Sequence, residues 1–519
     1  VNFLFPKPFF QDKIISKRLA GACIIQILPS TKVTPIFDTH TQNRISFSYF
    51  AMTPPTAFLE KMHQLLQTEY PAFSAEFSQA PYRGLRTNTS KISPSELQAR
   101  LPFKLQPVGK HCPEGFYARE INGIGSHHYY QAGVYYSQEP AAQCVVPILD
   151  PQPGDRVIDL AAAPGSKSTH IAARLQGAGL LVSNDYHVKR VYKLMQNIER
   201  MAVPNAIVIN CKIKEIANRW GACFDKVLLD APCSGEGMFR KHGEIAWSED
   251  LVRMCAERQG ELLPQAAQLV KPGGRLCYST CTFSPEENEQ VVARFLHDHP
   301  DFSLVNIFDL PAVPAQAVPG NPAWGGEHAL PELAFTVRLY PHRFHGEGHF
   351  IALFQRAERE SDAPEWETLR PASKVAQKIW QNFLADSGLS LPGESPIIQW
   401  GNFIMAVPDA IPDLQGIRAL LTGCPLGELR HDRLIPAHLL ARASKNPPVM
   451  ARYALKDPAI HQYLQGLDLP APEGSHGWGV LCVDEFPLGW VKSDGRRLKN
   501  HYPQGLRVTA NGTIGDWQE

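Results

Sequence analysis

The sequence has no net charge: 51 Lys and Arg residues balance 51 Asp and Glu residues. That excludes a chain-wide basic field, so any nucleic-acid surface has to be a local patch. No apolar run approaches the roughly 18 residues that span a bilayer, which excludes a membrane-spanning helix. Eleven cysteines are scattered singly without a CxxC pair, which argues against a zinc ribbon or a disulfide framework and fits a reducing cytoplasm. Neither GxGxxG nor GxxxxGK[ST] occurs, so the dinucleotide fingerprint and the phosphate loop are both missing. His127-His128-Tyr129-Tyr130 has no acid or cysteine at ligand spacing, and no metal site is expected. No internal repeat is evident.

At 519 residues, with 44% hydrophobic and 20% charged residues, the chain reads as a soluble protein of roughly three to four domains. Residues 1–51 mix short apolar pieces with Pro, Thr and Lys and follow no period, while Met52 opens a good helix start. The reading is that 1–51 is a non-native or disordered extension. Residues 52–143 form an N-terminal domain, with a helix over 54–69 and a basic stretch, 82–89, that either contacts RNA phosphates or is a solvated loop. From 151 the pattern becomes regular. Strands are predicted at 156–160, 180–184, 206–209, 226–229 and 275–279, with helices near 168–175, 188–200, 250–269 and 286–297. An antiparallel pair is expected at 336–340 and 349–355. This alternation predicts an α/β, Rossmann-like doubly wound parallel sheet over 144–357. A linker and a small α+β domain follow at 358–435, then a compact β-rich module at 436–519.

The first strand ends in Asp159-Leu-Ala-Ala-Ala-Pro-Gly-Ser-Lys. Small residues between a strand and a helix let a ligand approach the backbone at the helix start. Asp185, 26 residues beyond Asp159, can accept hydrogen bonds from both hydroxyls of a ribose. A ribose-binding acid without a pyrophosphate cradle fits S-adenosylmethionine better than a dinucleotide. Two cysteines sit in matching places. Cys233 lies in Asp-Ala-Pro-Cys-Ser-Gly-Glu-Gly (230–237) and Cys281 in Tyr-Ser-Thr-Cys-Thr-Phe-Ser-Pro-Glu-Glu-Asn-Glu (278–289). Adjacent strands are about 4.8 Å apart, so if these strands are neighbours both thiols overhang one crevice. Covalent chemistry on an electrophilic carbon then competes with a redox pair. Cys23, Cys144, Cys223, Cys255, Cys277 and Cys482 read as small buried hydrophobes. Arg240-Lys241-His242 either meets phosphate or is a solvated loop.

Ala-Ala-Pro-Gly-Ser-Lys (162–167) and the two cysteine motifs, in this order and spacing, resemble the NOL/NOP/Sun family of RNA cytosine-5 methyltransferases. Tyr136-Ser-Gln-Glu-Pro-Ala-Ala142 is similar to that family's lead-in. The Arg-Xaa-Asn-Thr stretch at 86–89 and the tail at 489–507 are most similar to bacterial members acting on small-subunit 16S rRNA, and the tail resembles a PUA-like RNA-binding module. The resemblance implies methyl transfer from S-adenosylmethionine to a cytosine C5 of 16S rRNA, in the assembled 30S subunit, by a cytoplasmic monomer. It assigns Cys281 as nucleophile, Cys233 to release of the covalent adduct, and Asp230 to hydrogen bonding with the cytosine. It gives cofactor contacts to Ala161, Ala162, Ala163, Pro164, Gly165, Ser166, Lys167, Asp185 and Asp230. The family often places an acid after the third strand, facing the adenine amino group; Asn210-Cys211-Lys212 stands there instead. Lys212 occupies that cofactor position but cannot accept a hydrogen bond, leaving Asn210 or a backbone carbonyl to substitute. The same chemistry on tRNA, and a non-catalytic RNA-binding or assembly protein, are the alternatives.

Overall fold

The computed structural model describes residues 54–508 apart from 119–122, 243–245, 360–365, 367–368, 390–394 and 409; the extension expected at 1–51 lies outside the described residues. Its centre is a ten-stranded sheet. The strands are β1 (Arg156–Asp159), β2 (Leu180–Asn184), β3 (Ala206–Ile209), β4 (Phe224–Asp230), β5 (Val270–Thr280), β6 (Phe302–Leu304), β7 (Val318–Pro319), β8 (Val337–Leu339), β9 (His349–Arg356) and β10 (Ala419–Thr422). Runs such as Ala206-Ile-Val-Ile are buried throughout, as expected of parallel strands covered on both faces. The order is β7-β8-β9-β5-β4-β1-β2-β3-β10, with β6 on β9. β3, β2, β1, β4 and β5 run parallel, and β9 lies antiparallel to β5 and β8.

The chain builds outward from β1 to β3, then returns to place β4 on the other side of β1. This reversal opens a crevice at the carboxyl ends of β1 and β4, where open α/β sheets bind ligands. The helices α1 (Ser166–Leu175), α2 (Val188–Arg200), α3 (Ile213–Trp220), α4 (Glu249–Ala267) and α5 (Glu289–Asp298) connect the strands. The expected helix at 286–297 is divided. A 3-10 turn at Pro285–Glu287 precedes α5, and Asn288 breaks the helical path with φ −113° and ψ −95°. The break turns Asn288 toward the second cysteine loop, where its Oδ1 accepts from Thr280 Oγ1 at 2.6 Å and its Nδ2 donates to Thr282 O at 3.0 Å.

A strand from beyond 357 completes the sheet. β10 pairs antiparallel with β3, Ala419 opposite Ile209 and Thr422 opposite Ile207. The segment leading into it buries Ile411, Leu414 and Ile417 in the core of the catalytic sheet. The rest of the C-terminal part forms a four-stranded sheet (Ile397–Trp400, Phe403–Ala406, Cys424–Arg430, Arg433–Pro436) and a five-stranded sheet between Val449–Tyr453 and Arg497–Asn500.

At the amino-terminal side, the expected helix is Thr56–Leu66. Its Phe58 packs with Phe73, Phe239 and Phe283 beneath the second cysteine loop. The basic stretch at 82–89 is neither a phosphate contact nor a solvated loop. Gly84–Thr87 is the buried strand of a four-stranded sheet, and Arg86, 0% exposed, donates to Gln138 Oε1 at 3.0 Å and Thr169 Oγ1 at 2.9 Å. These acceptors replace the water of Nε and Nη2, while the buried Nη1 has no hydrogen-bond partner. The same sheet shares one core with the C-terminal module: Leu85, Phe116 and Tyr135 cluster with Leu481, Val483 and Phe486.

Candidate active site

β4 and β5 are parallel neighbours, with Asp230 opposite Ser279. Their carboxyl ends deliver both cysteine loops to one edge, and the loops are tied together. Ala231 N–H donates to Ser279 O, and Gly237 N–H to Cys281 O, each at 2.8 Å. Glu287 accepts from Ser234 N–H at 3.0 Å, from the Ser234 hydroxyl, from Thr282 Oγ1 at 3.2 Å and from Gln259 Nε2 at 2.8 Å. Glu236 accepts from Phe283 N–H at 2.8 Å, Ser284 Oγ at 2.5 Å and Trp247 Nε1 at 2.9 Å. Gly237 is required by close approach: a Cβ there would lie 2.8 Å from Glu347 O and 3.0 Å from Cys281 O. The result places Cys233 Sγ 3.3 Å from Cys281 Sγ, both thiols free and partly exposed.

The charges beside the thiols are asymmetric. Asp230 Oδ2 accepts from Lys167 Nζ at 2.8 Å, its Oδ1 accepts from Ser279 Oγ at 2.7 Å, and His349 Nε2 lies 3.6 Å from Oδ1. Burial favours the neutral acid, but the Lys167 ammonium and His349 overcome it and hold the Asp230 carboxyl well below the usual range. Burial also opposes charge on Lys167, yet Asp230, then Asp159 and Cys281, raise its affinity for the proton. The Cys233 thiol is pushed well above the ordinary value, first by its hydrogen bond with Cys281 and then by burial. Behind the loops, burial and neighbouring Glu236 push Glu287 up to about 7.

The second half of the crevice lies at the ends of β1 and β2. The loop Ala161–Lys167 presents mostly backbone, with Gly165 at φ 113°, a conformation that favours glycine. Ala162 and Ala163 are buried, Pro164 is exposed, and Ala161 and Ser166 are half-buried. Asp185 Oδ1 accepts from His187 N–H at 2.8 Å, while its Oδ2 accepts from Ala163 N–H at 3.3 Å and lies 3.5 Å from Arg190 Nη2, so Oδ1 retains a lone pair for a further donor. Burial, helped by Asp230, pushes Asp159 up to about 7. Its Oδ2 accepts from Ser168 at 2.7 Å while its buried Oδ1 has no partner.

Not every candidate converges. Lys212 is exposed at the start of α3, where its backbone N–H donates to Glu215 at 3.2 Å. Asn210, not Lys212, meets the Asp185 loop. Arg240 is not a phosphate ligand in a solvated loop: it is 9% exposed and donates to Glu347 at 2.8 Å and Gly346 O at 3.0 Å, with Glu76 at 3.3 Å. Cys112, Glu114 and His170 come together as a buried group with metal-ligand chemistry. His170 Nε2 and Arg174 already bond to the same Glu114 oxygen at 2.6 and 2.9 Å, which makes the group a buried ion-pair network. Sequence reasoning missed His349, which begins an apolar strand without any local signal. It also gave no role to Glu236 and Glu287, whose acids read equally well as helix-start residues.

The profile of the 16S rRNA methyltransferase RsmB/F family matches residues 146–355. Three others flank it: the N-terminal domain of 16S rRNA methyltransferase RsmF at 55–140, the RsmF rRNA methyltransferase first C-terminal domain at 382–443, and the methyltransferase RsmF PUA domain at 451–508. The chain is 32% identical over 480 residues to the ribosomal RNA small subunit methyltransferase F of Erwinia tasmaniensis, covering 87% of this chain and 96% of that protein. The chain belongs to the RsmF-type methyltransferases of the Sun family. The RsmF relative from Vibrio vulnificus strain YJ016 is 30% identical over 476 residues, covering 87% of this chain and 97% of its own length. A solved methyltransferase homolog from Pyrococcus horikoshii superposes with a TM-score of 0.52 at 31% identity, over 58% of this chain and 95% of that one. NSun6 from the same organism, at 21% identity and a TM-score of 0.50 over 60% of this chain and all of that one, shares the fold. The chain is thus an RNA methyltransferase with an S-adenosylmethionine-dependent methyltransferase fold. The RsmB/F match contains both cysteine loops, whereas β10 falls in the match to the first C-terminal domain of RsmF. Among the described residues no helix is long and apolar enough to cross a membrane.

Proposed function

We propose that this chain transfers the methyl group of S-adenosylmethionine to C5 of a cytosine in 16S rRNA, in the assembled 30S subunit, through a covalent bond from Cys281 Sγ to cytosine C6. The observation that carries the reading is the pair of thiols 3.3 Å apart beside the Asp230–Lys167 ion pair. Cytosine C5 is too weak a nucleophile to accept a methyl group unaided. Addition of a thiolate to C6 makes C5 enamine-like, and sulfur both adds and leaves readily near neutral pH. Lys167 carries the positive charge that favours a Cys281 thiolate. In this assignment Cys233 is the proton donor to the Cys281 sulfur, 3.3 Å away. Once C5 has been methylated, Cys233 gives its proton to the departing Cys281 sulfur and takes the C5 proton in its place; the C6–S bond breaks, the C5–C6 double bond re-forms, and both thiols end protonated. Asp230, fixed by Lys167 and Ser279, is placed to hydrogen-bond the cytosine ring.

The residues present fit the methyl donor. The backbone of Ala161–Gly165 is open to close approach, Asp185 Oδ1 has a lone pair for a ribose hydroxyl, and the unpartnered Asp159 Oδ1 leaves a buried acceptor beneath the loop. When bound, S-adenosylmethionine supplies an electrophilic methyl group; the chain holds it through Ala161–Lys167 and Asp185. The target base has to leave its stack, at a cost of a few kcal/mol, and the flanking modules supply recognition of RNA shape.

The test is incorporation of labelled methyl into 30S particles, protein-free 16S rRNA and tRNA, followed by bisulfite sequencing. Methylation of one cytosine in 30S particles is expected. Methylation of tRNA alone would overturn the substrate, and incorporation at a position other than cytosine C5 would overturn the chemistry.

A further inference from the structure

The ribose-side loop is held by Asn210, which is itself held by a residue outside the catalytic match. Asn210, immediately after β3, donates through Nδ2 to Asp185 O at 2.7 Å and Tyr186 O at 2.9 Å. One amide group therefore ties two successive carbonyls of the turn that carries the Asp185 carboxylate. That amide is also held from its other end, where Asn210 Oδ1 accepts from Arg418 Nη1 at 3.1 Å. Backbone contacts bring Arg418 there: Asn210 N–H donates to Arg418 O at 3.0 Å, and Arg418 N–H points to Cys211 Sγ at 3.4 Å. Arg418 directly precedes β10. Its place is fixed by the pairing of β10 with β3 and by Asp413, which pairs with Arg219 and accepts from Trp220 Nε1 at 2.7 Å through its carbonyl.

We infer that Arg418 is a positioning residue for the cofactor site, acting through Asn210 on the Asp185 turn, so that the first C-terminal domain completes the ribose end of a pocket whose other parts lie in the catalytic domain. The inference rests on the assignment of Asp185 to the ribose. The physical argument is one of amide orientation. The Asp185 and Tyr186 carbonyls only accept, so they take the Asn210 nitrogen and leave the amide oxygen facing away from the turn. A guanidinium has only donors, so it accepts one orientation: oxygen toward Arg418 and nitrogen toward the turn. Without it the amide oxygen has lost its partner in the chain, the side chain is freer to leave the two carbonyls, and the turn pays the ordering entropy when cofactor binds.

The experiment measures S-adenosylmethionine binding by calorimetry and the KM for cofactor, using the full chain and the variants Arg418→Ala, Arg418→Lys, Asn210→Ala, the double variant, and Asp185→Ala. Arg418→Ala is expected to raise the dissociation constant roughly five- to tenfold, the scale of one partly exposed charge-assisted hydrogen bond. The effect falls on the KM for cofactor rather than on kcat, with the melting temperature within about 2 °C. Arg418→Lys, which keeps a donor, restores part of the affinity. Arg418→Ala adds little in the Asn210→Ala background, because the two act as one unit. Additive losses, or equal affinity in Arg418→Ala and the parent, would overturn the role of Arg418 while a large loss in Asp185→Ala leaves the cofactor site standing. Unchanged affinity in Asp185→Ala would remove both assignments. A collapse of the melting temperature in Arg418→Ala without rescue by lysine would mark the residue as structural and also overturn the inference.

Discussion

The two ends of the crevice are built in different ways. At the thiol end, adjacent strands β4 and β5 supply Asp230, Cys233 and Cys281, and buried carboxylates knit the two loops together. At the ribose end, Asp185 and Asn210 follow β2 and β3, and their order depends on Arg418, which is 208 positions from Asn210. The thiol end needs each atom in one place for bond making, so buried carboxylates hydrogen-bond its two loops together beneath thiols that stay partly exposed. The ribose end needs only to hold a ligand: its Asp185 carboxylate is buried, while the Asn210–Arg418 contact that supports it lies at the surface. The difference teaches that single changes at the thiol end should act on chemistry or folding, and those at the ribose end on affinity. The largest expected effect follows directly. Cys281→Ala should abolish both methyl transfer and the covalent RNA adduct, whereas Cys233→Ala should let the adduct accumulate, as seen on denaturing gels. Equal loss of adduct in both variants would erase the division between nucleophile and release group.

Arg240 sharpens the comparison next, because the sequence allows it to be an RNA contact and the structure makes it a support of the thiol end. It is buried against Glu347 and stacks 4.9 Å from the Tyr82 ring centroid. Breaking such a pair leaves an uncompensated buried acid, and Arg240→Ala should destabilise the fold by about 3 kcal/mol in urea unfolding. The dependence of RNA affinity on salt should stay as in the parent. Loss of about one unit from the salt slope would instead show a phosphate contact.

Glu287 gives a pH test of the same region. It is fully buried, and burial pushes it from 4.5 to about 7. The folded chain then holds a proton that the unfolded chain has released, so stability falls as pH rises from about 4.5 to about 7 and is unaffected by this group at lower pH. Glu287→Gln should remove a share of that slope, at most about 3 kcal/mol across the interval. The amide can keep the network, because the Ser234 and Thr282 hydroxyls that donate to Oε1 can turn and accept from an NH2 group. Chemical unfolding at pH 4.5, 5.5 and 7 measures the slope; a parallel pH dependence in parent and variant would place the proton elsewhere.

Legibility follows the same division. The thiol end was legible because its residues are contiguous with strands whose period and turn residues are local. The parallel order, the hairpin of β8 and β9, and the meeting of Cys233 with Cys281 follow from those local signals. What decides the rest lies far along the chain. Arg86 and Arg240 read as solvated or phosphate-binding because charge is their only local property; burial came from Gln138 and Thr169 for one, and from Glu347, 107 residues away, for the other. β10 is four residues, Ala-Leu-Leu-Thr, with no pattern that names β3 as its partner. α3 is only eight residues long, too short for its period to stand out. The core shared by Leu85 and Leu481 joins the two ends of the chain, and nothing local announces it.

Lys212 carries the smallest expected effect and the finest test of the contrast. Its place after β3 makes it a cofactor candidate by position, yet its side chain is exposed and has only donors to offer. It stands at the start of α3, where a positive charge meets the positive end of the helix dipole, while Glu215 in the first turn accepts its backbone N–H. Replacing it with alanine therefore removes no ordered contact at the ribose end. Lys212→Ala should change the dissociation constant for S-adenosylmethionine by less than about twofold, below the roughly 1 kcal/mol of a typical net hydrogen bond. Asp185→Ala in the same titration should lose most of the affinity. A tenfold loss from Lys212→Ala would mean that position after β3, rather than the amide held by Arg418, organises this end of the crevice, and the two ends would then be built alike from residues adjacent to their strands.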